Sequence, residues 1–393
     1  MRHPASPPIL TPERSIQGMR KLERRAHQLL QPADIQLNGH RPWDLVLHHP
    51  QTLDRIFLTG SLGLGESYVD GWWDCEQLDG FFDRVLRHGL DRQVQSVHPV
   101  VHFLRSHLFN AQSVRRAWRV GREHYDLDQD LFQRMLDPYL CYSCGYWAKA
   151  STLEQAQEAK LELVCQKLQL QPGMTLLDIG CGWGSLMRYA ARHHGVQCVG
   201  LTISREQATA GERMDRGLPI RYELSDYRQF NRDGRQRFDR IASIGMFEHV
   251  GQHNHLDYFQ VARRSLNPDG LFLLHTIGKN LSNTPIDPWI ETYIFPNGEL
   301  PSLQELTRAV EPQWVLEDLH NFGADYDRTL MAWHENFMQA WPAIQSRHSE
   351  RFHRMWRYYL LSCAGTFRAR ANQLWQLVLS PQGVVGGYRR PMQ

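Results

Sequence analysis

The segment Leu176-Leu177-Asp178-Ile179-Gly180-Cys181-Gly182-Trp183-Gly184 constrains the fold of this chain more than any other. A short apolar run from Thr175 to Ile179 ends in glycines separated by single residues, and Ser185 to Ala191 follows with helical character. Strand, tight turn and helix in that order place a nucleotide-type cofactor across the strand ends of an open α/β sheet. Glycines in such a turn allow positive φ and close backbone approach, and the helix N-terminus offers free N–H groups.

The rest of the chain repeats this unit. Ser151 and Thr152 with Glu154 and Gln155 read as an overlapping capping box that opens a helix through Leu168. Strands are predicted at 175–179, 197–203, 220–224, 238–244 and 271–277, and helices at 185–194, 205–214 and 255–266. Alternation at this spacing predicts a doubly wound α/β fold with a parallel sheet. Helical patterns follow at 303–310, 328–347 and 349–364, and Leu374 to Ser380 predicts a last strand. A length of 393 residues leaves room for two domains. The pattern divides them into a smaller, mainly helical part over 1–115 and the α/β part over 116–393. In the first, Thr11 and Pro12 open a helix over 11–31. Residues 33–75 read as short extended segments around a glycine-rich run, Gly60 to Tyr68, followed by a packed turn at Tyr68 to Trp73. That run imitates a dinucleotide loop without its third glycine.

Composition narrows the setting. No apolar run approaches the ~20 residues that span a bilayer, and the Pro-rich start, Met1 to Leu10, lacks a signal-peptide core. Seven cysteines without framework spacing fit a reducing cytosol. With a formal net charge of only +2, any basic surface must be local. One is present: no acidic residue lies between Asp91 and Glu123, where Arg92, Arg105, Arg115, Arg116, Arg119 and Arg122 alternate with Phe103, Leu104, Phe109 and Trp118. It reads either as a solvated helical face or as a surface for anionic phospholipid, where each arginine contributes ~1 kcal/mol and apolar groups dip into the interface. Nucleic acid would use the same charge, but no recognised binding motif accompanies it.

The second strand decides which nucleotide. A dinucleotide site usually places an acidic residue at its end to hold ribose hydroxyls. Here Thr202-Ile203-Ser204-Arg205-Glu206-Gln207 follows, with Thr202, Ser204 and Gln207 available as neutral hydrogen-bonding groups. Asp226, after the third strand, is placed to reach an adenine amino group, with Tyr227 beside the ring. Asp178 can take a cationic amino group, or simply cap the next helix. The pattern points to S-adenosylmethionine rather than NAD.

Several segments in order then carry a resemblance: Gly60 to Tyr68, His124-Tyr125-Asp126, Tyr142-Ser143-Cys144-Gly145-Tyr146-Trp147, Leu177 to Gly184, Gly245 to Val250, Leu274 to Gly278, Pro296-Asn297-Gly298, Asn321 to Tyr326 and Phe367 to Arg370. Over nearly its whole length the chain resembles the cyclopropane fatty acyl phospholipid synthases, a branch of the S-adenosylmethionine-dependent methyltransferases. The resemblance implies a class I methyltransferase-like sheet and a cofactor site over Tyr142, Ser143, Leu177 to Gly184, Thr202 to Ser204, Gln207, Asp226 and Tyr227. It implies methyl addition to a cis double bond of an acyl chain in membrane phospholipid, then proton loss from the new methyl and ring closure. The base in this family is a bound bicarbonate ion, which places Cys144, Glu248, His275, Tyr326 and the Ile277 backbone around it.

Each residue also has a plainer reading. His275 suits a satisfied core histidine, and Glu248 a charge at a helix start. Cys141 and Cys144 form a Cys-x-x-Cys pair that no second pair completes as a metal site. Cys363 matches a cysteine treated as an active-site residue in the family; it would be a nucleophile only with a lowered pKa, and its neighbours look like a buried helix. Tyr146, Trp147, Phe247 and Tyr326 line an acyl site or fill the core. The family further implies a homodimer, an N-terminal part that presents lipid, and a cytoplasmic protein at the inner face of the membrane. A lipid-binding scaffold and a methyltransferase for soluble substrates are the competing classes.

Overall fold

The computed structural model describes residues 12–94, 129–311 and 313–391. The basic stretch beyond residue 94 and the segment His124-Tyr125-Asp126 lie outside the described residues.

Two short strands, β1 (Val46–Leu47) and β2 (Trp73–Asp74), pair antiparallel in the N-terminal part. The main sheet holds β3 (Thr175–Ile179), β4 (Gln197–Thr202), β5 (Ile220–Leu224), β6 (Phe238–Ile244), β7 (Leu266–Lys279), β8 (Val315–Asn321) and β9 (Asn372–Ser380). Their order is β5-β4-β3-β6-β7-β9-β8. The chain winds outward from β3 in both directions, so the crevice for a ligand opens at the carboxyl end of β3. The expectation of a parallel sheet needs correction at one edge. β9 runs antiparallel to both β7 and β8, and strand direction leaves no trace in apolar periodicity.

Side chains alternate between two cores, as a pleated strand requires. Leu176, Leu271 and Leu273 pack with Leu161, Val164 and Met187 on one face. Leu177, Phe272 and Leu274 pack with Tyr258 and Phe259 on the other. The helix Leu153–Lys167 covers the first face. Its N-cap Thr152 accepts from the Gln155 amide, while the Gln155 side chain accepts from Ser151.

The glycine-rich run is the clearest local difference from expectation: Ser61–Val69 is a helix following the helix Thr52–Thr59. A Cβ on Gly65 would collide with the indole of Trp289, so this glycine serves close packing rather than a turn. Residues 33–90 share a hydrophobic cluster with residues 289–374. Arginines of the helix Glu350–Arg368 tie the two together. Arg354 donates to the Tyr68 and Trp73 carbonyls at 2.6 and 2.9 Å, and Arg368 bridges Asp79 and Asp327 at 2.5 and 2.9 Å.

Candidate active site

The glycine turn is held from both sides. Gly180, Gly182 and Gly184 have φ of 86°, 54° and 81°, and the Gly180 and Cys181 amides both donate to the Leu201 carbonyl at the end of β4. Arg188, one turn into the following helix, donates to the Trp183 carbonyl at 2.7 Å and to Asp215 at 2.5 Å. Tyr222 donates to the other Asp215 oxygen at 2.5 Å. This buried ion pair fixes the turn without touching the cavity in front of it.

That cavity is lined by most of the residues assigned to the cofactor. Tyr142, Ser143, Asp178, Ile179, Gly180, Cys181, Gly182 and Trp183 line it. Thr202, Ile203 and Gln207, after β4, and Asp226 and Tyr227, after β5, line it as well. Three assigned residues do not line it. Leu177 points into the core. Gly184 lies beneath Tyr222 and starts the helix. Ser204 caps the helix Arg205–Met214 by accepting from the Gln207 amide. Thr202 donates to the Gln207 side chain at 3.1 Å, and both Asp226 oxygens accept from Arg228 at 2.6–2.9 Å. Asp178 is wholly desolvated, which pushes its pKa up to about 7 against the opposing pull of Lys160. No hydrogen bond from Asp178 caps the helix behind it among the described residues.

Beyond the cavity lies a second cluster. Glu248 is 7% exposed, and its Oε1 accepts from the Ile277 amide at 2.7 Å. The Ile277 N–H assigned to an anion is therefore already engaged. Glu248 Oε2 is buried without a partner among the described residues, and desolvation raises the pKa to about 7. His275 sits within β7, where its carbonyl accepts from Gly245, a residue that lines the cavity. Its Nδ1 meets Gln376 Nε2 at 3.2 Å, and its Nε2 is buried and unpartnered among the described residues. Burial, then Lys160 and Lys167, hold its pKa well below the usual value, so the ring is neutral. Tyr326 stacks on Phe367 at 4.5 Å, within electrostatic reach of Cys144 and Glu248.

The two cysteines assigned to chemistry are thiols. Burial raises the Cys144 pKa well above its usual value, and its Sγ lies 3.9 Å from the Thr329 hydroxyl. Burial pushes Cys363 up to about 12, so it is no nucleophile at neutral pH. Phe247 belongs to the core against Tyr258 and Phe259. Trp147 donates to Thr329 at 2.9 Å, and Tyr146 packs edge-on to Phe322.

The family model described as mycolic acid cyclopropane synthetase matches residues 112–377. The chain belongs to this family. It is 53% identical to the cyclopropane-fatty-acyl-phospholipid synthase of Escherichia coli, over 93% of this chain and 95% of that one. The solved cyclopropane synthase MmaA2 from Mycobacterium tuberculosis is 37% identical, with a TM-score of 0.62 over 67% of this chain and 97% of its own. CmaA1, solved in complex with SAH and CTAB, is 34% identical with a TM-score of 0.62, covering 67% of this chain and 97% of its own. Coclaurine N-methyltransferase, at 20% identity and a TM-score of 0.64 over 81% of this chain and 99% of its own, shares the fold. The chain is accordingly an S-adenosylmethionine-dependent methyltransferase.

Sequence reasoning missed Lys160. It is 1% exposed in the helix Leu153–Lys167 and donates to the Ser143 hydroxyl at 2.9 Å on the cavity wall. A lysine among apolar neighbours at helical spacing gives no sign that it points inward. His249 also lines the cavity, with burial lowering its pKa to about 4.

The two raised carboxyls separate by measurement. A Glu248 that acts as a proton acceptor must first lose its own proton, so kcat at saturating donor is then expected to rise with pH and level off above about 7. Asp178 titrates in the same range but lines the cavity, so if the donor binds there its ionisation appears in donor Kd, which tightens as pH rises through about 7. A flat kcat profile between about pH 5 and 8 would count against Glu248 as the acceptor.

Proposed function

We propose that the enzyme transfers a methylene from S-adenosylmethionine to the cis double bond of unsaturated acyl chains in membrane phospholipids, forming cyclopropane fatty acyl chains. The π electrons attack the methyl carbon, the sulfonium leaves as a thioether, and a carbocation remains on the chain. Loss of a proton from the transferred methyl closes the ring, so each turnover releases one proton.

The observation that carries this reading is two buried atoms without a partner among the described residues, Glu248 Oε2 and His275 Nε2; Glu248 follows the cavity-lining Gly245 and Met246 in sequence, and the His275 carbonyl accepts from the Gly245 amide. A carbocation needs a weakly nucleophilic base nearby, and the cysteines are neutral thiols. The residues fit a small anion: Tyr326 and a neutral His275 offer donors, and Lys160 and Lys167 add positive charge. A bicarbonate ion bound there supplies the base. Glu248, held by the Ile277 amide, accepts the proton such an ion carries, because two adjacent negative charges share one proton more readily than both ionise. The ring faces of Tyr142 and Tyr326 are suited to stabilising the cation.

On the donor side, Asp178 takes the amino group, Thr202 and Gln207 the ribose, and Asp226 and Tyr227 the adenine. The part over 1–115 presents lipid to the catalytic part over 116–393, and the basic stretch of 92–122 meets anionic headgroups. No helix among the described residues is long and apolar enough to cross a membrane. A homodimer docked on the cytoplasmic face of the membrane completes the proposal.

The test uses vesicles of cis-unsaturated phospholipid with S-adenosylmethionine. Cyclopropane ring protons are expected in the NMR spectrum of the recovered lipid. Unaltered lipid, from protein shown by calorimetry to bind the donor, would rule the reading out.

A further inference from the structure

Behind His275 runs a polar row across the sheet. His275 on β7 is in register with Gln376 on β9, and Gln376 with His320 on β8. Residues opposite one another on neighbouring strands share a face, here the face covered by the helix Leu153–Lys167. Gln376 is wholly buried; its Nε2 lies 3.2 Å from His275 Nδ1, and its Oε1 is buried without a partner among the described residues. Lys167 donates to His320 Nδ1 at 3.2 Å and pairs with Asp318 at 3.3 Å. Seven residues earlier on the same helix, Lys160 is buried as well. The charged groups acting on His275 are these two cations.

A neutral imidazole carries one proton, and the hydrogen bond at one nitrogen decides which nitrogen holds it. An amide N–H of Gln376 directed at Nδ1 leaves the proton on Nε2, the buried atom without a partner among the described residues. The reverse amide orientation would place the proton on Nδ1 and turn a lone pair toward a bound anion.

We propose that Gln376 is a positioning residue that holds His275 as the Nε2–H tautomer, so that its proton faces the anion site. This rests on the proposed function only for the purpose the donor serves; the tautomer itself is a property of the folded chain.

The experiment is 15N NMR of the imidazole rings in the full-length, donor-bound protein, with the His275 signals assigned by their loss in His275→Asn. The expected spectrum shows Nε2 protonated and Nδ1 unprotonated between about pH 6 and 8. Gln376→Glu accepts from Nδ1–H, which reverses the tautomer or charges the ring. Its kcat is expected to fall about tenfold to a thousandfold, as for other histidines held in the wrong tautomer, with donor Kd within about threefold. Gln376→Met keeps the volume without the donor, and kcat falls while the His275 signals become a mixture of tautomers. A wild-type spectrum with the proton on Nδ1 overturns the proposal, and so do folded variants that turn over at the wild-type rate. If neither variant folds, the wild-type spectrum alone decides. If lipid is never cyclopropanated but Nε2 is protonated, the proposed function fails while the assignment of Gln376 stands.

Discussion

Glu248→Gln is expected to lower kcat by about 10²–10⁴-fold, the usual contribution of a positioned proton acceptor. Glutamine keeps the shape and can still accept the Ile277 amide through one oxygen, so the fold and the 2.7 Å contact survive. What changes is the second position. A carboxylate oxygen accepts there, whereas the amide nitrogen only donates. Donor Kd should stay within about threefold, because Glu248 does not line the cofactor cavity. Glu248→Gln should also lose the rise of kcat with pH toward about 7, since that limb belongs to this carboxyl. Loss of kcat and donor binding in equal measure would instead assign Glu248 a structural role.

Asp215→Ala is expected to have the largest effect on stability, about 3–5 kcal/mol, the cost of leaving one partner of a buried ion pair alone. The side chains of Arg188 and Asp215 are 5% and 2% exposed, so water cannot replace the lost contact. Tyr222 loses an acceptor in the same step. Because Arg188 also holds the Trp183 carbonyl, the donor should bind more weakly as the turn loosens. The double variant Arg188→Met, Asp215→Ala should be less destabilised than Asp215→Ala alone, since it leaves no unpaired charge. Urea unfolding measures both, and a loss below about 1 kcal/mol in the single variant would contradict a tightly coupled pair.

The contrast between these two sites shows what the sequence makes legible. The turn at Gly180 to Gly184 and the units around it are local: apolar runs, glycines and caps lie within a few residues of one another. Their helices and strands follow the expected bounds closely, as at Arg205–Met214, Ile220–Leu224 and Phe238–Ile244. β8 escaped notice because Glu317, Asp318, His320 and Asn321 interrupt any apolar alternation. An edge strand tolerates that, since Asp318 finds Lys167 and Arg390 across space. The helix Ser61–Val69 was hidden for the opposite reason. Its glycines resemble breakers, and their use depends on Trp289, more than two hundred residues away in the chain.

The candidate site divides in the same way. Most cavity-lining residues assigned to the donor follow three consecutive strands, where topology alone assembles them. Glu248, His275 and Tyr326 come from separate elements, so only the resemblance named them together. Lys160 and Gln376 carried no local signal: one is a lysine on a helix with no clear apolar face, the other a glutamine in an apolar strand. Both become informative only when burial and partners are known.

The most direct measurement supplies the enzyme with S-adenosylmethionine bearing a fully deuterated methyl group, together with cis-unsaturated phospholipid vesicles. If the transferred methyl loses a proton to the base beside Glu248 and His275, the recovered chains carry a ring methylene with two deuterium atoms, and the third is released to solvent. Chains that retain all three deuterium atoms as a methyl branch would contradict ring closure by that route.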